Sequence, residues 1–150
     1  MELVKENKEK KRAVYFDKDR YRKVWKEKDK SDWIYRHVKI LNHMMPGYVL
    51  GYGTDYIEYK PIEGILANKF PHTDEFIRKI YNFCLDNIKE TRPWVHGDWV
   101  LSNIIIRPDK SLALIDWDNV GMYLEKDYME KLHKDLSSAF GEEKFRNAIQ

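Results

Sequence analysis

Cysteine is nearly missing from this chain of 150 residues, with Cys84 the only one. No disulfide can close within the chain, and no multi-cysteine zinc site exists. Long apolar runs are missing too. The first residues, Met1-Glu2-Leu3-Val4-Lys5-Glu6-Asn7-Lys8, have no apolar signal core, and no stretch approaches the ~18 apolar residues of a membrane span. These absences set the expectation of a soluble, cytoplasmic protein with no membrane partner. Glycine is scarce, at 7 residues, and none precedes Gly47. A glycine-rich turn that brings backbone amides close to phosphate is therefore excluded from the N-terminal part.

No charge of one sign dominates, since 27 Lys/Arg meet 25 Asp/Glu for a net +2. The spread is uneven. Residues 1–30 hold 12 basic and 7 acidic side chains, and the remainder holds 15 and 18. A basic head over an acidic body suits a polyphosphate ligand and equally suits a solvated surface. Nucleic acid is disfavoured as a partner. The aromatics Tyr15, Phe16, Tyr21 and Trp25 lie among the basic residues, but the interleaved acids Glu2, Glu6, Glu9, Asp17 and Asp19 weaken that reading, because counterion release needs net positive clusters. A hydrophobic content of 43% argues for one globular core rather than disorder.

The pattern along the chain reads as strands, helix, strands, link, then helices around a hairpin. Arg12–Phe16 and Arg20–Trp25 read as strands about the turn Asp17-Lys18-Asp19, with Tyr21, Lys23 and Trp25 on one face. Ser31 is the expected N-cap of a helix carrying Ile34, Val38, Leu41 and Met45, ended by Pro46-Gly47. Tyr48–Leu50 and Tyr56–Tyr59 form a strand pair, and Lys60–Gly64 is an irregular link. Thr73, Asp74 and Glu75 open a helix with Phe76, Ile80 and Cys84 on one stripe and Ile77, Tyr81, Leu85 and Ile88 beside it. Tyr128, Leu132, Leu136 and Phe140 imply another helix, and Phe145, Ala148 and Ile149 a short last one.

The densest chemistry lies in His96-Gly97-Asp98-Trp99-Val100-Leu101-Ser102-Asn103 and Leu114-Ile115-Asp116-Trp117-Asp118. Asn103 precedes the β-branched run Ile104-Ile105-Ile106, and Asp116 follows Leu112-Ala113-Leu114-Ile115. The turn Arg107-Pro108-Asp109-Lys110-Ser111 joins the two runs. A hairpin centred between Asp109 and Lys110 pairs residues whose numbers sum to 219, which sets Asn103 opposite Asp116. Two oxygen side chains so placed suit one hard cation such as Mg²⁺, with Asp98 close by. That set is what a metal-assisted phosphoryl transfer needs, Asp98 orienting a hydroxyl while Asn103 and Asp116 hold the ion.

On these residues, Val95 to Asn119 resembles the catalytic core of the aminoglycoside phosphotransferase and choline kinase families, small-molecule relatives of the protein kinases. Gly97 and Trp117-Asp118 stand where protein kinases usually carry Arg and Phe-Gly. The resemblance implies an α+β, minimal bilobal protein kinase-like fold, unusually short. It would have a small N-terminal antiparallel sheet with one helix (about residues 1–60), a hinge (about 60–64), and a mainly helical C-terminal lobe with a catalytic β-hairpin (about 65–150). It implies ATP and Mg²⁺ as cofactors and a small-molecule hydroxyl as acceptor. Asp98 is then the catalytic aspartate, Asn103 and Asp116 the metal ligands, and His96 a structural residue.

By the same resemblance Lys23 is the phosphate-binding lysine, with Lys26 its competitor. Backbone near Lys60 and Ile62 would meet the adenine edge, Ile105 and Ile115 would face the adenine, and Asp127 would brace the catalytic loop. The two isoleucines read equally as plain core. The chain departs from the family at two places. His37 stands where the family helix carries a glutamate, and Glu6-Asn7-Lys8-Glu9-Lys10-Lys11 replaces a loop of small residues. Nucleotide affinity should then be weak and sensitive to salt. Only 31 residues separate Gly64 from His96, so the acceptor pocket is minimal, shared across a homodimer, or absent. Trp94, Trp99, Trp117, Tyr123 and Tyr128 read as core, or as an aromatic cage for a cationic acceptor. The alternative function is an inactive pseudokinase that binds a nucleotide or a partner.

Overall fold

The computed structural model describes all residues, Met1–Gln150, in two compact units, Met1–Ile62 and Glu63–Gln150. The first unit is one antiparallel sheet with one helix. Its strands are β1 (Glu2–Asn7), β2 (Arg12–Asp17), β3 (Arg20–Trp25), β4 (Val49–Tyr52) and β5 (Tyr56–Tyr59), in the order β1-β2-β3-β5-β4. Helix α1 (Ser31–Met44) lies between β3 and β4 in sequence and packs on β4 and β5. Its apolar stripe meets the sheet at Trp25, Ile34, Val38 and Ile57, with Trp33, Val49 and Tyr59 packed around them. Burying such side chains is worth roughly 1.5–3 kcal/mol each.

Ser31 is not the N-cap of α1. Lys30 occupies that position with a helical backbone, and its carbonyl accepts the first helical bond from Ile34 N at 2.9 Å. A serine caps from an extended backbone just outside the helix, and here the chain is already coiling one residue earlier. Asp32 remains in the first turn, where its charge favours the helix dipole. β4 also runs past the expected Leu50 to Tyr52, with an irregularity between Val49 and Gly51 that the pairing with β5 absorbs.

The second unit holds three strands, β6 (Ile65–Leu66), β7 (Ile104–Ile106) and β8 (Leu112–Leu114), hydrogen-bonded in that order. Its helices are α2 (Asp74–Thr91), α3 (Glu125–Phe140) and α4 (Glu142–Ile149), and α4 packs on both α2 and α3. Thr73 caps α2, its hydroxyl accepting from Phe76 N at 3.1 Å, a bond worth about 1 kcal/mol. Ile77, Ile80, Cys84 and Ile88 form the buried stripe of α2, and Leu132, Leu136 and Phe140 that of α3. Phe76 leaves the stripe to stack on Phe70. β6 escapes a periodicity reading because two residues carry no period.

The hairpin register differs from expectation by one residue. Ile104 pairs Leu114, Ile105 pairs Ala113 and Ile106 pairs Leu112. Arg107 N donates to Ser111 O at 2.9 Å, which leaves a three-residue loop, Pro108-Asp109-Lys110. Lys110 takes a left-handed backbone (φ 70°), the usual last residue of such a loop. The Asp109 carboxylate holds the turn by accepting from Ser111 N at 3.0 Å and from Ser111 Oγ at 2.6 Å. An odd loop moves the partner of Asn103 from Asp116 to Ile115, and Ile115 N donates to Asn103 O at 2.8 Å. No helix is long and apolar enough to cross a membrane.

Candidate active site

A closed ring of hydrogen bonds organises the segment from His96 to Asp116. Asp98 N donates to His96 Nδ1 at 3.2 Å, and His96 Nε2 meets Ile115 O at 2.8 Å. Ile115 N donates to Asn103 O at 2.8 Å. The Asn103 amide nitrogen closes the ring on Asp98, donating to its main-chain oxygen and to Oδ2, both at 3.1 Å. Because Nδ1 accepts and Nε2 faces a carbonyl, the imidazole is the neutral Nε2–H tautomer. His96 is fully buried, and burial pushes its pKa below the ordinary histidine value. The Ile115 carbonyl and then Asp98, Asp116 and Asp118 pull the other way. His96 is the structural residue expected of it, and three carboxylates lie within electrostatic range of its ring.

Gly97 is required where it stands. Its φ is +84°, and a Cβ there would come 2.9 Å from Asn119 O and 3.3 Å from Tyr123 Cε2. The Tyr123 hydroxyl donates to that same Asn119 carbonyl. Val95 and Gly121 exchange backbone bonds at 2.8 and 3.1 Å, which shuts the base of the loop.

Asp98 and Asn103 are thus brought into direct contact. Asp116 is one residue beyond its expected pairing, just past the doubly bonded Ile115, and takes a left-handed backbone (φ 58°). Aspartate tolerates that conformation better than most residues. Asn103 spends its NH₂ on Asp98, so its carbonyl oxygen and the Asp116 carboxylate are the two hard donors that could share an ion. No group of three or more His, Cys, Asp or Glu side chains is arranged for a metal. Two protein oxygens are too few for a zinc or calcium cage and fit Mg²⁺, which fills its remaining positions with water and phosphate. Ile105 is buried on the central strand of its sheet, and Ile115 is half-buried.

The remaining expected residues belong to the first unit. Lys23 lies on β3 between Val14 and Ile57, its ammonium 5.6 Å from the Trp25 ring centroid. Its competitor Lys26 pairs with Glu6 at 3.3 Å. The Lys60 N–H donates to Tyr48 O at 2.8 Å, so it is not the backbone donor that would meet an adenine edge. Ile62 ends the unit, half-buried. His37 is a core residue, buried and stacked on Trp33 at 4.5 Å. The turn between β1 and β2 is closed by Lys10 N on Asn7 Oδ1 at 3.0 Å, with Lys11 left-handed in place of a glycine.

Asp127 does not brace the loop. It is exposed in the first turn of α3, and the carboxylate that accepts from the loop is Asp135, which takes Trp99 N at 3.0 Å. The sequence signal for Asp135 was an acid beside Leu132 and Leu136, on the apolar side of an amphipathic helix, where burial demands a partner. Trp99 and Trp117 are core residues rather than cage walls. The Trp117 indole donates to Leu114 O at 3.1 Å and meets the His96 ring edge-on at 4.6 Å.

Residues 62–124 match the family model described as the phosphotransferase enzyme family. No curated protein sequence matches the chain. Among solved structures, the high-resolution crystal structure of WbdD is similar at a TM-score of 0.64 and 13% identity, over 89% of this chain and 36% of that one. A medium-resolution structure of the bifunctional kinase-methyltransferase WbdD is similar at 0.63 and 15% identity, over 85% and 34%. Monomeric WbdD follows at 0.57 and 13%, over 91% and 39%. The chain therefore spans little more than a third of the solved proteins it resembles. With its antiparallel sheet, its hairpin and its four helices, the chain shares the fold of these structures, and its sequence is similar to the phosphotransferase enzyme family across the segment that holds Asp98, Asn103 and Asp116.

Proposed function

We propose that the chain is an ATP-dependent phosphotransferase that moves the γ-phosphate to a hydroxyl of a small molecule. The observation that carries this reading is the hydrogen-bonded ring through His96, Asp98, Asn103 and Ile115, which fixes a carboxylate, an amide and the approach to a second carboxylate with little freedom. Asp98 orients the acceptor hydroxyl and takes its proton late. The acceptor oxygen forms the new bond to the γ-phosphorus while the bridging P–O bond breaks and its electron pair leaves with ADP. Asn103 and Asp116 are the residues that would hold Mg²⁺, which when bound neutralises charge on the β- and γ-phosphates. Since the transition state is loose, positioning and fixed charge supply most of the acceleration. Lys23 would serve the nucleotide phosphates, and Ile105 and Ile115 the adenine.

The test is consumption of ATP with Mg²⁺ across a panel of alcohols that includes aminoglycosides and choline. Acceptor-dependent formation of ADP and phosphorylated product supports the reading. The glycine-free turn between β1 and β2 favours a second reading, a pseudokinase that binds without transfer. Under it, ATP binds and no acceptor is phosphorylated.

A further inference from the structure

Lys131 of α3 lies beside the residue proposed to handle the acceptor proton. Its ammonium is 2.6 Å from both oxygens of Asp135 and 3.9 Å from Asp98 Oδ1. The Asp135 contact is a full hydrogen-bonded ion pair, whereas the Asp98 contact is an ion pair too long for a hydrogen bond. Asp98 Oδ2 is occupied by Asn103, so Oδ1 is the oxygen that faces the cation.

The stretch between Asp98 and Asn103 offers no charge of its own, reading Trp99-Val100-Leu101-Ser102. His96 is held neutral by burial and by engagement of both ring nitrogens. Arg107 is spent at the far end of the hairpin on Ser111 Oγ and Leu112 O. The cation at Asp98 comes instead from a helix, and its side chain is 45% exposed, so it retains room to move. An ammonium carries three donors, and Asp135 engages it from one side.

We infer that Lys131 is a catalytic residue of the transfer, a swinging cation that rests on Asp135 and turns toward the γ-phosphoryl group as it passes to the acceptor oxygen at Asp98. The inference rests on the phosphotransferase reading. During transfer the three non-bridging oxygens of the phosphoryl group remain charged while its bonds to donor and acceptor are both long, and a nearby ammonium stabilises that arrangement. Asp135 keeps the lysine at the loop and simultaneously holds the loop through Trp99 N. A mere helix-stabilising i,i+4 pair has no need of the Asp98 contact.

The experiment compares the wild-type chain with Lys131→Met and Lys131→Arg, measuring kcat, the KM for ATP and the melting temperature. The expected result is a loss of roughly 10²-fold in kcat for Lys131→Met, with KM for ATP and melting temperature held within error, and substantial recovery in Lys131→Arg. If the wild type transfers phosphate and Lys131→Met matches it, the inference falls and the phosphotransferase reading stands. If Lys131→Met loses activity together with its melting transition, the role is structural and the inference again falls. If the wild type transfers to no acceptor in the panel, both fall together.

Discussion

The Asn103 side chain bridges the main-chain oxygen and the carboxylate of Asp98, at 3.1 Å to each. A single amide therefore sets both where Asp98 sits and which of its oxygens is left over. Asp98→Asn keeps an oxygen for Asn103 to donate to, so the loop should stay in place. The expected outcome is loss of at least about 10²-fold in transfer rate with nucleotide binding and melting temperature little altered. Retention of wild-type turnover in that variant removes Asp98 from the mechanism.

Asn103→Asp behaves differently. It replaces a donor with a carboxylate facing another carboxylate, so the variant loses two hydrogen bonds and gains repulsion. Unfolding in urea should show a stability loss of about 1–3 kcal/mol. An unchanged midpoint contradicts the bridging role.

Asp116 combines a proposed ligand with a strained backbone. Asp116→Asn keeps the left-handed conformation, whereas Asp116→Ala adds about 1 kcal/mol of strain. Both variants should need far more Mg²⁺ to reach half-maximal transfer, and only the alanine should melt earlier. A Mg²⁺ titration of turnover beside a thermal melt separates the two effects.

Acid should weaken the fold through His96. Its folded-state pKa lies below the ordinary 6.5, because burial opposes the charge more than the surrounding carboxylates favour it. The unfolded chain then binds the proton more readily. Stability is complete above the unfolded value and declines as pH falls below it toward the folded value. Denaturant midpoints between pH 7.5 and roughly pH 5 should fall more for the wild type than for His96→Gln. Equal slopes assign the acid sensitivity elsewhere.

Gly97→Ala tests the crowding around the loop. The added methyl meets Asn119 O in a backbone conformation that disfavours any side chain. A cost of about 1–3 kcal/mol is expected, seen as a lower melting temperature and slower transfer.

The kinase-like order of strands and helices was legible because apolar periodicity is written locally. β3, β5, the start of α2 and the buried stripe of α3 all follow from residues within a turn or two of one another. What was illegible depended on a single backbone conformation or on distant partners. The hairpin register turned on whether Lys110 adopts φ 70°, which decides between an even and an odd loop and moves Asp116 off its pairing. Asp135 was missed for Asp127 because the loop amide it accepts from is 36 residues away. At Lys60 the side chain was visible but the commitment of its N–H to Tyr48 was not.

Cys84 carries no exposed surface, and burial, helped by the nearby Asp135, pushes its thiol well above the usual range. A maleimide in native buffer therefore finds nothing to alkylate until the α2 interior opens. The lone sulfur is a built-in clock for that opening, reporting how often the helical half breathes without any engineered label.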